Sequence, residues 1–138
     1  MSSTTGKCLC GQISVSVTQE ALGATDKIVV CHCKNCRQNN GSLSAVDIIT
    51  PESSAKITGQ PKIYEDTNTD SGKPMPRAFC GNCGSPIYRT SPSFPGMLII
   101  KLGLFDEIPK PATEVYCKRR PTWVKAIDGA KQFDTMPK

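Results

Sequence analysis

The stretch Cys31-His32-Cys33-Lys34-Asn35-Cys36-Arg37 places three sulfurs within six residues. Two cysteine pairs flank it, Cys8-Leu9-Cys10 upstream and Cys80-Gly81-Asn82-Cys83 downstream, so seven of the eight cysteines fall in three tight clusters. A tetrahedral zinc ion with Zn–S bonds of about 2.3 Å needs its sulfurs roughly 3.8 Å apart. Cysteines two or three residues apart reach that separation with little strain. Residues two apart on an extended segment share a face, so Cys31 and Cys33 can point at one ion. His32 then faces the other way, and reads as a neutral side chain with a local hydrogen bond rather than as a ligand. In the downstream pair, Gly81 and Gly84 tolerate positive φ and let backbone N–H groups turn toward the sulfurs.

Joined, the two flanking pairs make a closed four-sulfur set of Cys8, Cys10, Cys80 and Cys83. Sixty-nine residues lie between Cys10 and Cys80, so a metal there fixes long-range topology. Closed four-sulfur sites are usually structural. Cys31, Cys33 and Cys36 form the other set. Three ligands and one exchangeable position is the pattern of catalytic zinc. The alternative is a second structural site completed by Cys117 or His32, and ligand counting leaves both open. Taken alone, Cys117 reads as a buried, inert cysteine. Two zinc ions per chain are expected.

Length and composition agree with a metal-reinforced domain. The 138 residues suit a single domain, with residues 1–6 expected as a disordered tail and residues 7–138 as the zinc-binding unit. Apolar content of 38% with eleven Gly and eleven Pro describes a turn-rich chain whose modest core metal crosslinks would support. The N-terminal residues carry no apolar secretory segment, and no apolar run is long enough to span a bilayer, so a cytoplasmic protein without a membrane partner is expected. In a reducing compartment clustered cysteines are more often metal ligands than disulfides. The single longer cysteine series of bacterial-type iron–sulfur proteins is absent. Metal also changes the charge: seven thiolates remove seven positive charges from the formal +5 and two zinc ions restore four, leaving +2. A nucleic-acid partner loses most of its electrostatic support.

Residues 11–18 alternate apolar and polar as a half-buried strand does, and residues 27–30 are a β-branched run leading into Cys31. Residues 39–42 carry turn chemistry, and residues 43–49 resume a strand-like run. Residues 53–59, 62–64, 85–89 and 113–117 read as further short strands, residues 65–76 as a polar loop, and residues 97–102, the most apolar run, as a central strand. No amphipathic helix of three turns and no internal repeat is present. The class is mainly β, in antiparallel sheets cross-linked by zinc.

With one histidine there is no Ser/His/Asp arrangement to assemble, and no Gly-rich phosphate loop occurs, so any chemistry depends on the metal. A zinc with an exchangeable position can bind a small thiolate, a soft ligand that suits it well. Arg37 could pair with a substrate carboxylate through its planar fork. Lys118-Arg119-Arg120 beside Trp123 could hold an anionic substrate, although a run of three charges is also what a solvated face looks like.

Three motifs in order carry a family resemblance: Cys8-Leu9-Cys10-Gly11, Cys31-His32-Cys33-Lys34-Asn35-Cys36-Arg37, and Phe79-Cys80-Gly81-Asn82-Cys83-Gly84-Ser85-Pro86-Ile87-Tyr88. Together with residues 116–123 they resemble the glutathione-dependent formaldehyde-activating enzyme family, also called the centromere protein V/GFA domain family, over most of residues 7–125. The resemblance implies an Mss4-like fold, a β-tent around a structural zinc held by Cys8, Cys10, Cys80 and Cys83. It implies a catalytic zinc at Cys31, Cys33 and Cys36, and a lyase or synthase making or breaking a carbon–sulfur bond in glutathione adducts such as S-hydroxymethylglutathione. Glutathione would then be a co-substrate, with Arg37 and Trp123 as its contacts, and the partner a small-molecule thiol adduct. A homodimer is compatible with the sequence. Two alternatives stand beside this reading. One is a non-catalytic zinc-stabilised module binding nucleic acid or protein, motivated by the centromere-type relatives and the basic run. The other is a tailoring enzyme for a larger metabolite–thiol conjugate.

Overall fold

A computed structural model describes residues 2–137; Met1 of the expected tail and Lys138 at the end of the expected domain lie outside the described residues. The strands are β1 (Ser3–Lys7), β2 (Ser14–Thr18), β3 (Ile28–Cys31), β4 (Ala45–Pro51), β5 (Ala55–Thr58), β6 (Lys62–Asp66), β7 (Met75–Phe79), β8 (Pro86–Arg89), β9 (Met97–Lys101), β10 (Thr113–Val115) and β11 (Lys131–Gln132). Two short helices, α1 (Gln19–Gly23) and α2 (Lys34–Asn40), and a few single helical turns complete the chain. Three strands form a small sheet in the order β1-β2-β5, and the other eight form a large one in the order β11-β10-β3-β4-β9-β8-β7-β6. The expected mainly β architecture of antiparallel sheets is what the molecule shows. Strand β9, the most apolar segment, lies inside the large sheet between β4 and β8.

The period-two pattern of β2 explains how the sheets meet. Val15 and Val17 point to one side and are fully buried, and they pack against Ile28, Ile48, Leu98 and Ile100 on one face of the large sheet. Complete burial of such side chains contributes roughly 1.5–3 kcal/mol each. The opposite face of the large sheet carries a second, smaller cluster, in which Val29, Cys31, Ala45 and Val115 lie beside Cys36 of α2. The candidate site is on this second face.

Three expectations need correcting. The N-terminal segment is not a tail: residues 3–7 are β1, paired antiparallel with β2 from Ser3↔Thr18 to Lys7↔Ser14. Its serines and threonines offer no apolar alternation to read; the ladder to β2 and the hydroxyl pair Thr5–Ser16 at 2.8 Å hold it in place. The polar loop is shorter than residues 65–76, because β6 runs on to Asp66 and β7 begins at Met75. Strand β10 pairs in parallel with both β3 and β11, so one end of an otherwise antiparallel sheet is parallel. Strand β11 has only two residues and no apolar signal.

One glycine is required by both conformation and space. Gly59 has φ +95°, and a Cβ there would run into the Gln12 carbonyl oxygen and lie 2.8 Å from Ile13 Cδ1. Gly59→Ala therefore meets a backbone atom that cannot swing aside. It is expected to lower stability by about 2–4 kcal/mol, read as a shift of the denaturant midpoint at unchanged slope.

Candidate active site

The two cysteine sets come together as spatial groups. The sulfurs of Cys8, Cys10, Cys80 and Cys83 all lie within 4.8 Å of one another, and so do those of Cys31, Cys33 and Cys36. All eight cysteines are free thiols. In the four-sulfur group Cys8 Sγ to Cys10 Sγ and Cys10 Sγ to Cys80 Sγ are each 3.7 Å, the edge length of a tetrahedron with metal–sulfur bonds of about 2.3 Å. The residues thus fit a tetrahedral thiolate-bound ion. The Ile13 N–H donates to Cys8 Sγ at 3.3 Å. Ser85 Oγ lies 3.2 Å from Cys83 Sγ, and its hydroxyl chiefly pulls that thiol down to about 5. The same oxygen accepts from the Leu9 N–H at 3.2 Å, so Ser85 stitches one cysteine pair to the other.

The three-sulfur group is built by a strand end and a helix start. Cys31 closes β3, and Cys33 is the N-cap of α2, its sulfur accepting from the Cys36 N–H at 3.3 Å. Cys36 sits one turn on and is buried. Gly41, in the left-handed conformation at φ 63°, ends the helix at the expected turn. The three sulfurs share protons unequally. Hydrogen bonds from Cys31 and Cys33 hold the Cys36 thiol far below the ordinary range, with Arg89 and Lys101 adding to the pull. Donating those bonds pushes Cys31 far above it.

Among the described residues no fourth cysteine, histidine, aspartate or glutamate joins this group. The completion by Cys117 or His32 is therefore not what the fold provides. Cys117 is half-buried, and its thiol faces the Glu114 carbonyl oxygen at 3.5 Å and Gln132 Oε1 at 3.3 Å. His32 does face the other way, but its partner is not local: Nε2 meets Glu114 Oε1 at 2.8 Å, across 82 positions of sequence.

Glu114 is a buried hub. Its other oxygen accepts from the Ile127 N–H at 2.9 Å and Gln132 Nε2 at 2.7 Å, and Arg120 Nη1 stands 3.5 Å away. Burial alone would raise this carboxyl, but those hydrogen bonds outweigh it and hold it below the usual carboxylate range. A depressed carboxyl contributes stability that is complete above its unfolded value, about 4.3, and is lost as pH falls through its lower folded value. Glu114→Gln should remove that dependence. At pH 7 the variant is expected to be less stable by about 1–3 kcal/mol, a gap that closes on acidification. Parallel denaturation of both proteins from pH 7 to 3 measures it, and thiolate protonation common to the two cancels in the difference.

The loop after β6 is tied to the elements that carry the three sulfurs. Asn35 Nδ2, in α2, donates to Asp66 Oδ2 at 3.0 Å and to the Asn68 carbonyl oxygen at 2.6 Å. Tyr116 packs against the Cys31–Cys36 cluster and donates its hydroxyl to Asp70 Oδ2 at 2.5 Å. Among the described residues Tyr116 is the one non-glycine with positive φ, at 55°. Burial and the neighbouring Asp70 push its hydroxyl up.

The same sheet face carries buried charge that the sequence reading did not single out. Asp47 (β4) faces Lys101 (β9) at 3.3 Å, Arg89 (β8) approaches Asp47 at 3.8 Å, and Arg77 (β7) donates to Asp66 at 2.9 Å. The available signal was a charge inside an apolar run, as in residues 43–49 and 97–101. The two expected substrate contacts lie elsewhere. Arg37 lines a shallow groove with Lys34, Gln38 and Leu43, and Trp123 is 75% exposed.

A sequence profile of the glutathione-dependent formaldehyde-activating enzyme family matches residues 3–119. The chain belongs to this family. The match spans all three cysteine motifs and ends before Trp123. A search of curated proteins found no match. In shape the chain is similar to a Rhodobacter sphaeroides protein known from a crystal structure, with a TM-score of 0.58 at 18% identity, over 76% of this chain and 90% of that one. At that identity the likeness speaks for the fold, and the family's tent of β-sheets with its paired cysteine groups is the fold seen here. No helix among the described residues is long and apolar enough to cross a membrane.

Proposed function

We propose that the chain is a zinc-dependent lyase or synthase that breaks or makes the carbon–sulfur bond of a glutathione adduct, or of a related thiol adduct, in a reducing, cytoplasmic setting. The observation that carries this reading is the convergence of Cys31, Cys33 and Cys36 with no fourth protein ligand among the described residues. An all-thiolate donor set suits zinc. Zinc bound there would supply Lewis acidity, favouring the thiolate form of a substrate sulfur near neutral pH.

The protein's own groups do the rest. Cys33, as helix cap, and Cys31, as strand end, fix the sulfurs on rigid elements. Asn35 and Tyr116 tie the loop after β6 to the sulfur side. Arg37 is the candidate clamp for a substrate carboxylate, and Trp123 a second candidate contact. In the cleavage direction the carbon–sulfur bond of S-hydroxymethylglutathione breaks and its electron pair stays on sulfur. The hydroxyl loses its proton as the C=O bond of formaldehyde forms; synthesis is the reverse.

The test is exchange spectroscopy on glutathione and formaldehyde at equilibrium, with and without zinc-loaded protein. Acceleration of S-hydroxymethylglutathione exchange is expected. If the zinc form neither binds glutathione nor accelerates exchange of this or any other thiol adduct tried, the reading fails. Exposed Lys118 and Arg119 near Trp123 are what favours the second reading, a non-catalytic binding module. That reading requires salt-dependent nucleic-acid binding that survives loss of Cys36.

A further inference from the structure

The large sheet holds an unbalanced set of buried charges beside the three sulfurs. By register Arg77 lies directly opposite Arg89, and Asp47 opposite both Lys101 and Val29, in the row next to the pair Cys31↔Ala45. Like charges directly opposite on neighbouring strands repel. Here they are also shielded from water: Arg77 and Lys101 are each 6% exposed, and the Arg89 side chain is 16% exposed. Three cations thus share this face with two carboxylates, Asp47 and Asp66.

The hydrogen bonds show the same shortfall. Arg77 Nη1, Arg89 Nε and Asp47 Oδ1 make no hydrogen bond, although Arg89 Nε stands 3.8 Å from Asp47 Oδ2 and Lys101 Nζ 3.3 Å from Asp47 Oδ1. Arg89 Nη1 points at the Met75 sulfur at 3.1 Å, a weak acceptor for a guanidinium. Burial pushes the Asp47 carboxyl up, against the pull of Lys101 and Arg89, which weakens it as a counter-ion. Asp47, which both Lys101 and Arg89 approach, lies two residues along β4 from Ala45, the partner of Cys31, so the charged cluster abuts the sulfur side of the sheet. Three thiolates around a divalent ion carry one net negative charge, set beside three buried cations. A fourth ligand that is itself anionic adds a second negative charge, and buried, under-bonded guanidinium groups are suited to receive it.

We propose that Arg89, backed by Lys101 and Arg77, determines ligand specificity at the three-sulfur centre by favouring an anionic sulfur ligand over a neutral one. Entry of a thiol then breaks its S–H bond, the electron pair stays on sulfur, and the proton leaves to solvent. The positive field of the sheet offsets the charge gained. Arg89 acts through space on the bound sulfur and is a specificity residue, distinct from the candidate carboxylate clamp Arg37. The inference deepens the proposed function and rests on it for the presence of a metal at Cys31, Cys33 and Cys36.

The experiment uses the full chain loaded with cobalt, whose visible and sulfur charge-transfer bands report each ligand without any turnover. Wild type, Arg89→Gln and Arg89→Lys are titrated with 2-mercaptoethanol, glutathione and imidazole. For Arg89→Gln, both thiols are expected to bind at least about tenfold more weakly while imidazole stays within about twofold. Arg89→Lys keeps the charge and should stay within about threefold of wild type for all three. A loss confined to glutathione overturns the proposal, because Arg89 would then hold a carboxylate. An equal loss for imidazole overturns it too, since the residue would only be building the site, and so does the absence of any loss. A wild-type protein that takes up neither thiol is equally fatal. Should Arg89→Gln not fold, Lys101→Met carries the same prediction from the neighbouring strand. A wild type that binds both thiols but processes no adduct sinks the proposed reaction and leaves this inference standing.

Discussion

Cys80→Ser is expected to cost the chain its native fold at 37 °C, with one of two zinc equivalents lost. Cys80 is 1% exposed, and its sulfur stands 3.7 Å from that of Cys10, 70 residues earlier. A metal there joins the turn entering β2 to the turn between β7 and β8, so it ties the small sheet to the large one. Structural zinc sites are worth about 10–16 kcal/mol in small metal-dependent domains, as much as or more than the 5–15 kcal/mol net stability of a typical domain. Serine offers a harder, more basic oxygen in place of a soft thiolate, and it leaves three sulfurs around an ion that needs four. Near-ultraviolet circular dichroism with zinc analysis measures the effect: a collapsed or strongly lowered transition is expected, and chelation of the wild type should reproduce it. Cys117→Ser is the control. Its sulfur meets only a carbonyl and an amide oxygen, so the melting temperature should barely move. A Cys80→Ser protein that melts within a few degrees of wild type would show that the sheets themselves, not the metal, hold the tent together.

The cysteine spacing made the site legible because metal-ligand geometry is local. One or two residues between sulfurs already limit which atoms can meet, and both groups assemble, the three-sulfur one without the completion by Cys117 or His32 that ligand counting left open. Strands with alternating or continuous apolar runs, β2 and β9 above all, were legible for the same reason: one face or both must be buried. What was not legible is held by partners far away in sequence. Strand β1 carries no apolar pattern and exists through its ladder to β2. The parallel pairing of β10 with β3 depends on a long connection that no local signal announces. Arg77, Arg89, Lys101 and Asp47 look like ordinary polar positions until the sheet stacks them on one face. His32 shows the limit most clearly. Period two gave its direction, but its carboxylate partner is 82 residues away.

Cys36→Ser is expected to abolish adduct chemistry while the fold persists. The residue supplies one of three sulfurs at a centre that crosses no sheet boundary: Cys31, Cys33 and Cys36 belong to consecutive elements, and the four-sulfur group that ties the sheets is untouched. Zinc content should fall from two equivalents toward one, and turnover by about a thousandfold or more, a loss of about 4 kcal/mol in transition-state stabilisation. Stability should not be entirely spared. Cys36 packs on the sheet face that carries Arg89 and Lys101, and losing its thiolate leaves the buried guanidinium and ammonium groups with Asp47 as their main counter-ion. Breaking one side of a buried charge arrangement costs about 3–5 kcal/mol, less than the metal tie at Cys80 but measurable. The two effects can be separated in one series. In Cys36→Ser/Arg89→Gln the surplus cation goes with the anion, so the double variant should be more stable than the sum of the single losses, while activity stays absent. Additive stabilities would mean that Cys36 and Arg89 do not share charge. Full activity in Cys36→Ser would remove the three-sulfur centre from the chemistry altogether.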